Sequence, residues 1–206
     1  MSKSLELKIS STGLWYYARA LDIYSRSYDP ITHEQEFSDI GRYLNEYKYW
    51  RIVKPERRAE IEKIAFEFTL KHLQANFTDE IPFNYLFSVP NNRAVKESIG
   101  LEVCKLLETN YPKILKNSSA AISKTKEIPV IKNIESVEER AAHLKDAYTV
   151  DKSKIQMPKG FLVIDDIYGS GSTVRSLGRT LRDSFPEVPR FLITLTYLKS
   201  NLGVKS

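Results

Sequence analysis

The chain has 206 residues, 42% hydrophobic and 28% charged, enough for one α/β domain with a core and too apolar for a disordered protein. Thirty-one Lys and Arg against twenty-six Asp and Glu leave a formal charge of +5, which suits an anionic ligand or a loose nucleic-acid contact and does not choose between them. A single cysteine, Cys104, excludes disulfides and cysteine-rich zinc sites.

The first residues carry no apolar signal core, and no later run approaches the ~20 apolar residues that span a bilayer, so a cytoplasmic protein with no membrane partner is expected. Residues 5 to 28 alternate apolar and polar in places and turn at Ser10-Ser11-Thr12-Gly13 into Leu14-Trp15-Tyr16-Tyr17, a pattern for a hairpin. Thr32 and Gln35 have the spacing of a capping box. Phe37, Ile40, Tyr43, Leu44 and Tyr47 then recur at helical spacing, predicting a helix over 33–50. Pro55 suits the first turn of a second helix, with Ile61, Ile64, Ala65, Phe68 and His72 or Leu73 on its inner face. Its Lys54, Arg57, Arg58, Lys63 and Lys71 alternate with Glu56, Glu60 and Glu62, as on a solvated helix.

Phe83 to Val89 reads as a buried strand, and Val95, Ile99, Val103, Leu106 and Leu107 as a helix ending before Tyr111-Pro112. Residues 113 to 135 show no clear pattern and are expected to be mobile. Ala147 to Val150 and Phe161 to Ile164 read as strands. Val174, Leu177, Leu181 and Phe185 line a helix stopped by Pro186, and Phe191 to Leu195 supply a last strand. Alternating strands and helices imply an α/β fold with a mainly parallel sheet flanked by helices, binding ligands at the carboxyl ends of its strands. His33 and His72 have no metal-binding partner at ligand spacing. Trp15, Tyr16 and Tyr17 read as core and interface rather than as a base-stacking surface.

The most informative segment is Phe161-Leu162-Val163-Ile164-Asp165-Asp166-Ile167-Tyr168-Gly169-Ser170-Gly171-Ser172-Thr173-Val174. An apolar strand delivers two carboxylates to its exit, followed by small residues and a helix start. Gly169 and Gly171 permit positive φ and leave backbone N–H groups open to a phosphate; Ser170, Ser172 and Thr173 add hydroxyls, and the helix adds its positive dipole end. Asp165 and Asp166 would accept hydrogen bonds from vicinal hydroxyls, so diol and phosphate together describe ribose 5-phosphate. A Walker A loop would need a Lys before Ser172, and a dinucleotide fingerprint a third Gly where Val174 stands.

This stretch resembles the phosphoribosyl-diphosphate motif of type I phosphoribosyltransferases. Roughly residues 37 to 200 look most like the ComF branch, the competence-associated phosphoribosyltransferase-like proteins. The resemblance implies one phosphoribosyltransferase-like domain over 1–206, with an N-terminal hairpin and helical extension over 1–76 and a phosphoribosyl-diphosphate-binding core over 77–200. It implies ribose 5-phosphate contacts from Asp165, Asp166, Ile167, Tyr168, Gly169, Ser170, Gly171, Ser172 and Thr173. Ser88-Val89-Pro90-Asn91-Asn92-Arg93 is similar to the family's pyrophosphate loop, which assigns pyrophosphate contact to Asn91, Asn92 and Arg93. Asp165, Asp166 and Arg93 are the implied catalytic residues.

Arg140 matches the Arg of a further ComF stretch, a segment expected to close over the site. His143 stands there in place of Asn and Asp146 in place of Gly, and a preceding Thr and Gln have no counterpart, departures that weigh on catalysis more than on binding. Also missing is the amino-terminal zinc ribbon. Tyr47-Lys48-Tyr49 resembles a Lys-Tyr stretch near the start of the family core, although core-edge packing with Lys48 reaching solvent is the better account of it. The family's reaction transfers phosphoribosyl from phosphoribosyl diphosphate to a nitrogen base, with Mg²⁺ held through the ligand rather than by a protein cage. A non-catalytic nucleotide sensor and a competence-type accessory protein acting with DNA stay open as alternatives. So do the acceptor base, a protein partner and the oligomeric state, a homodimer included.

Overall fold

The computed structural model describes residues 4–7, 13–29, 31–32, 34–50, 53–78, 80–90, 98–125, 136 and 142–198. The strands are β1 (Leu5–Glu6), β2 (Tyr17–Ile23), β3 (Ser25–Tyr28), β4 (Gln35–Phe37), β5 (Tyr85–Ser88), β6 (Lys116–Asn117), β7 (Ile122–Lys124), β8 (Tyr148–Val150), β9 (Phe161–Tyr168) and β10 (Arg190–Tyr197). The helices are α1 (Asp39–Tyr49), α2 (Pro55–Asn76), α3 (Ile99–Asn110) and α4 (Ser172–Ser184). Six strands make the main sheet, in the order β1-β2-β10-β9-β5-β6. All neighbours are parallel except the β1–β2 pair, so five strands end on one edge of the sheet. The protein is thus α/β with a mixed, mostly parallel central sheet flanked by helices.

Each face of the sheet has its own core. Phe161 and Val163 of β9 pack with Leu192, Phe87, Trp15, the inner side of α4 and the β7–β8 pair. Leu162 and Ile164 face the opposite way, with Phe191, Ile193, Ile40, Leu44, Ile61, Val103 and Leu107, toward α1, α2 and α3. Phe161 through Ile164 are fully buried, and each such side chain contributes roughly 1.5–3 kcal/mol. This run anchors whatever follows it.

The segment expected as an N-terminal extension contributes β2 to the sheet, beside β10. The helix predicted over 33–50 begins only at Asp39: residues 35–37 pair with 25–28 as a hairpin. Ser38, not Thr32, caps α1. Its hydroxyl accepts from Gly41 N at 3.0 Å and donates to the Ile23 carbonyl, which pins the helix start to the end of β2. A side chain at Gly41 would strike the Tyr24 carbonyl, so glycine lets α1 lie close against the strand ends.

In α2, Phe68 is 40% exposed, and Phe66 and Thr69 turn inward instead. Its basic residues, read as a solvated face, include two in ion pairs: Arg57 with Glu46 of α1 and with Glu60 at 2.8 and 2.7 Å, and Arg58 with Glu62 at 3.2 Å. Residues 113–125, expected to be mobile, instead form β6, a 3₁₀ turn and β7, with Leu115, Ala121 and Ile122 buried. The short apolar runs there are core contacts spaced by turns. No helix among the described residues is long and apolar enough to cross a membrane.

Candidate functional site

β9 runs four residues beyond the apolar stretch, to Tyr168, so Asp165 and Asp166 belong to the strand itself. Side chains of a strand alternate between faces, and the two acids therefore part company. Asp165 continues the Phe161–Val163 row toward α4 and β8; Asp166 continues the Leu162–Ile164 row toward α1.

Lys48, in the last turn of α1, places its Nζ 2.7 Å from Asp166 Oδ2. The side chains of Lys48 and Asp166 are 29% and 18% exposed, so water weakens this pair less than it would an exposed one. Burial works against the Lys48 charge, but Asp166 and, more weakly, Asp165 outweigh it and hold the ammonium above its usual pKa. Asp166 Oδ1 accepts from Ile167 N at 2.6 Å.

Asp165 makes no comparable ion pair among the described residues. Its Oδ1 accepts from Asp166 N at 3.0 Å. Its neighbour in register on β10 is Thr194, whose buried hydroxyl has no hydrogen-bond partner among the described residues. Tyr148 of β8, a phenol raised by burial and further by Asp165, lies on the same side. Desolvation first and the Asp166 charge second push the Asp165 carboxyl up to about 7, against the opposing pull of Lys48. Asp165 is thus the acid of the pair that burial draws toward its neutral form.

Beyond Tyr168 the chain turns in three residues and enters α4. Gly171 caps that helix in the left-handed region, φ 72° and ψ 5°, with no side-chain cap and no acid in the first turn. A side chain there would also run into the Tyr168 ring. The Ser170 and Ser172 hydroxyls lie 2.9 Å apart, and Arg175 donates to the Ser170 carbonyl while its own amide bonds to the Gly171 carbonyl. Ser172 N reaches the Ser170 hydroxyl at 3.4 Å, so two hydroxyls and a guanidinium gather at the positive end of a helix dipole, chemistry that suits a phosphate monoester.

The structure thus brings Asp165, Asp166, Ile167, Tyr168, Gly169, Ser170, Gly171, Ser172 and Thr173 together at the carboxyl edge of the sheet. Asn91, Asn92, Arg93 and Arg140 lie outside the described residues. The flanks of the 91–97 segment border the site, since Val89 N donates to the Ile164 carbonyl at 3.2 Å and Ser98 caps α3. Sequence reasoning gave Lys48 no role, and Arg175 and Tyr148 went unnoticed as site residues. Only the Tyr47-Lys48-Tyr49 resemblance hinted at Lys48, and Arg175 had the signal of a cation one turn into the helix after the glycine turn. Among the described residues, no group of three or more His, Cys, Asp or Glu side chains is placed to hold a metal ion. No protein-family model matches the chain, and no curated protein matches it either.

Proposed function

We propose that the protein is a type I phosphoribosyltransferase-like protein of the ComF kind, which binds phosphoribosyl diphosphate or a nucleoside 5′-monophosphate and transfers phosphoribosyl to a nitrogen base. The observation that carries this reading is the acidic pair of β9 standing one short glycine turn before the uncapped start of α4. A phosphate at that helix start leaves the attached sugar within reach of carboxylates, and carboxylates accept from a diol while repelling a second phosphate.

In such a reaction the base nitrogen bonds to C1 of the ribose as the bond from C1 to the pyrophosphate oxygen breaks, and pyrophosphate departs with that electron pair. Positive charge develops on the sugar. Asp166, fixed by Lys48, favours that charge and orients a hydroxyl. Asp165, close to half-protonated at neutral pH, can accept from or donate to the neighbouring hydroxyl. The α4 start and Arg175 hold the 5-phosphate, and Arg93, Asn91 and Asn92 are the candidates for the pyrophosphate. The hard oxygens of Asp165 and Asp166 fit Mg²⁺ carried in by the diol and pyrophosphate, an ion that would neutralise the leaving group.

Calorimetric titration with phosphoribosyl diphosphate, with and without Mg²⁺, together with an assay for released pyrophosphate, tests the reading. Binding that Asp165→Asn/Asp166→Asn abolishes, with pyrophosphate release on adding a base, is the expected result. Absence of binding by the wild type overturns it. Binding without release across a panel of bases would turn the protein into a nucleotide sensor, the reading that the missing Thr and Gln favour.

A further inference from the structure

Lys48 can fix Asp166 only while the helix that carries it stays in place. The pair is partly exposed, and an ammonium on a flexible four-carbon stem gains little from such a pair unless its base is held. The sheet holds the carboxylate, because Asp166 belongs to β9. At its far end α1 is held by α2.

Arg57, in the first turn of α2, donates from Nε and Nη2 to the two carboxylate oxygens of Glu46, at 2.9 and 2.8 Å. The Glu46 side chain is 10% exposed and that of Arg57 36%, so this fork is drier than most surface pairs, and a bidentate contact fixes direction as well as distance. The same guanidinium lies over the Tyr43 ring, 5.3 Å from its centroid. One residue after Glu46, the buried Tyr47 hydroxyl donates to Glu62 at 2.8 Å and accepts from Arg58 at 2.7 Å, with the Arg58 guanidinium 4.4 Å from the ring centroid. Tyr43, Glu46 and Tyr47 have the spacing of one helix face, which is the face turned to α2. Lys48 comes next in the chain and reaches β9 instead. Trp50 N bonds back to the Glu46 carbonyl at 3.2 Å, so the residues gripped by α2 and the backbone of Lys48 belong to one turn.

We propose that Arg57 and Tyr47 are positioning residues for the acidic pair, acting through Lys48: the fork on Glu46 and the Glu62–Tyr47–Arg58 cluster set the last turn of α1 so that the Lys48 ammonium rests on Asp166. The consequence for a ligand rests on the ribose-phosphate reading above, whereas the effect on Lys48 does not, and the two are measured separately.

The first measurement uses no ligand. The full chain is treated with a limiting amount of an amine-acylating reagent, and labelling of Lys48 is quantified by peptide mass spectrometry against Lys159, which is 69% exposed and lies at the other end of β9. Asp166→Asn shows how fast Lys48 reacts without its partner. Arg57→Gln should raise the Lys48 ratio by roughly two- to fivefold, the change expected when a partly exposed ion pair is loosened, and Tyr47→Phe, which removes only the hydroxyl, should raise it by less. Thermal melting checks that each variant folds, and Tyr47→Phe decides if Arg57→Gln does not. Lys48 labelling that stays at the wild-type ratio in the folded variants overturns the proposal. Calorimetry with phosphoribosyl diphosphate is the second measurement. Arg57→Gln should weaken binding by about threefold in the wild type and leave it unaltered in Lys48→Met, since a residue that acts through the ammonium has nothing to act on once it is gone. An equal loss in both backgrounds overturns the route through Lys48. If the wild type does not bind at all, the ribose-phosphate reading falls and the labelling alone decides the positioning role.

Discussion

Asp165 and Asp166 are neighbours in sequence and strangers in environment. On the α1 side of the sheet, Asp166 meets an ammonium at 2.7 Å. On the α4 side, Asp165 lies in register with a threonine whose buried hydroxyl has no partner among the described residues, and on the same side as a desolvated tyrosine. A carboxylate that meets a cation is held ionised and in place, whereas one that meets dry, uncharged surroundings is drawn toward its neutral form. Two identical side chains can therefore serve as a fixed acceptor and a proton-holding group, because the pleat of one strand sends them to different faces.

The sharpest way to break this comparison is to neutralise the fixed member. Asp166→Asn removes a charge-assisted acceptor and leaves Lys48 without its partner, so affinity for phosphoribosyl diphosphate should fall by roughly 10- to 100-fold, the effect of losing one hydrogen bond to a charged group, as calorimetry would record. If Asp165→Asn costs as much affinity at pH 6, the two acids are equivalent and the division of roles is wrong.

Lys48 is the next test. Lys48→Met should weaken binding by about tenfold. It should also raise the pH at which binding is half-maximal by about one unit, because an opposite charge at this range lowers a carboxyl by that order, and Lys48 does pull Asp165 downward. Among the described residues, the groups that act electrostatically on the acids or feel them include Lys48 and Tyr49 of α1, Tyr24, and Tyr148 of β8; Lys48 is the cation of this set. Lys48→Arg should restore much of the affinity and return the midpoint toward the wild-type value. A midpoint unaltered in Lys48→Met would remove the electrostatic role of α1.

Gly171 probes the turn that joins the acids to α4. Gly171→Ala puts a Cβ in the left-handed region and against the Tyr168 ring, so stability should drop by about 1–3 kcal/mol. That corresponds to roughly 2–10 °C in melting temperature for a chain of this size.

The smallest expected effect is also the most diagnostic. The folded Asp165 carboxyl titrates near 7 against 3.8 in its ordinary state, so the folded protein holds a proton that the unfolded chain gives up. Its stabilising contribution is fully present below about pH 4 and is lost as pH rises to about 7. Above that pH a charge sits buried without a cation of its own. Asp165→Asn should then raise the melting temperature at pH 8 by about 2–5 °C, on the order of 1 kcal/mol, and by less at pH 4. A lower melting temperature at pH 8 would show that Asp165 is ionised and satisfied in the folded state.

Much of the fold was legible because local chemistry and tertiary packing agree. Phe161 to Ile164 are apolar on both faces, as a central parallel strand requires, Pro55 opens α2, and Pro186 follows α4. The misread places are those where long-range contacts decide. Thr32 and Gln35 had capping-box spacing, yet the β3–β4 hairpin occupies residues 35–37 and gives the cap to Ser38, a choice that depends on Ile23 lying alongside. Residues 113–125 lacked periodicity because Leu115 turns to one core and Ala121 and Ile122 to the other.

The sequence by itself determined the local order that follows the apolar strand: two acids, a glycine turn and a helix start. It could not determine what stands around the loop. That Lys48 neutralises Asp166, and that Thr194 and Tyr148 stand on the Asp165 side, depends on α1, β8 and β10, which are distant from the loop or indistinct in sequence. Local motifs are written in consecutive residues, whereas the charge state of a carboxyl depends on whichever groups folding brings within a few ångströms.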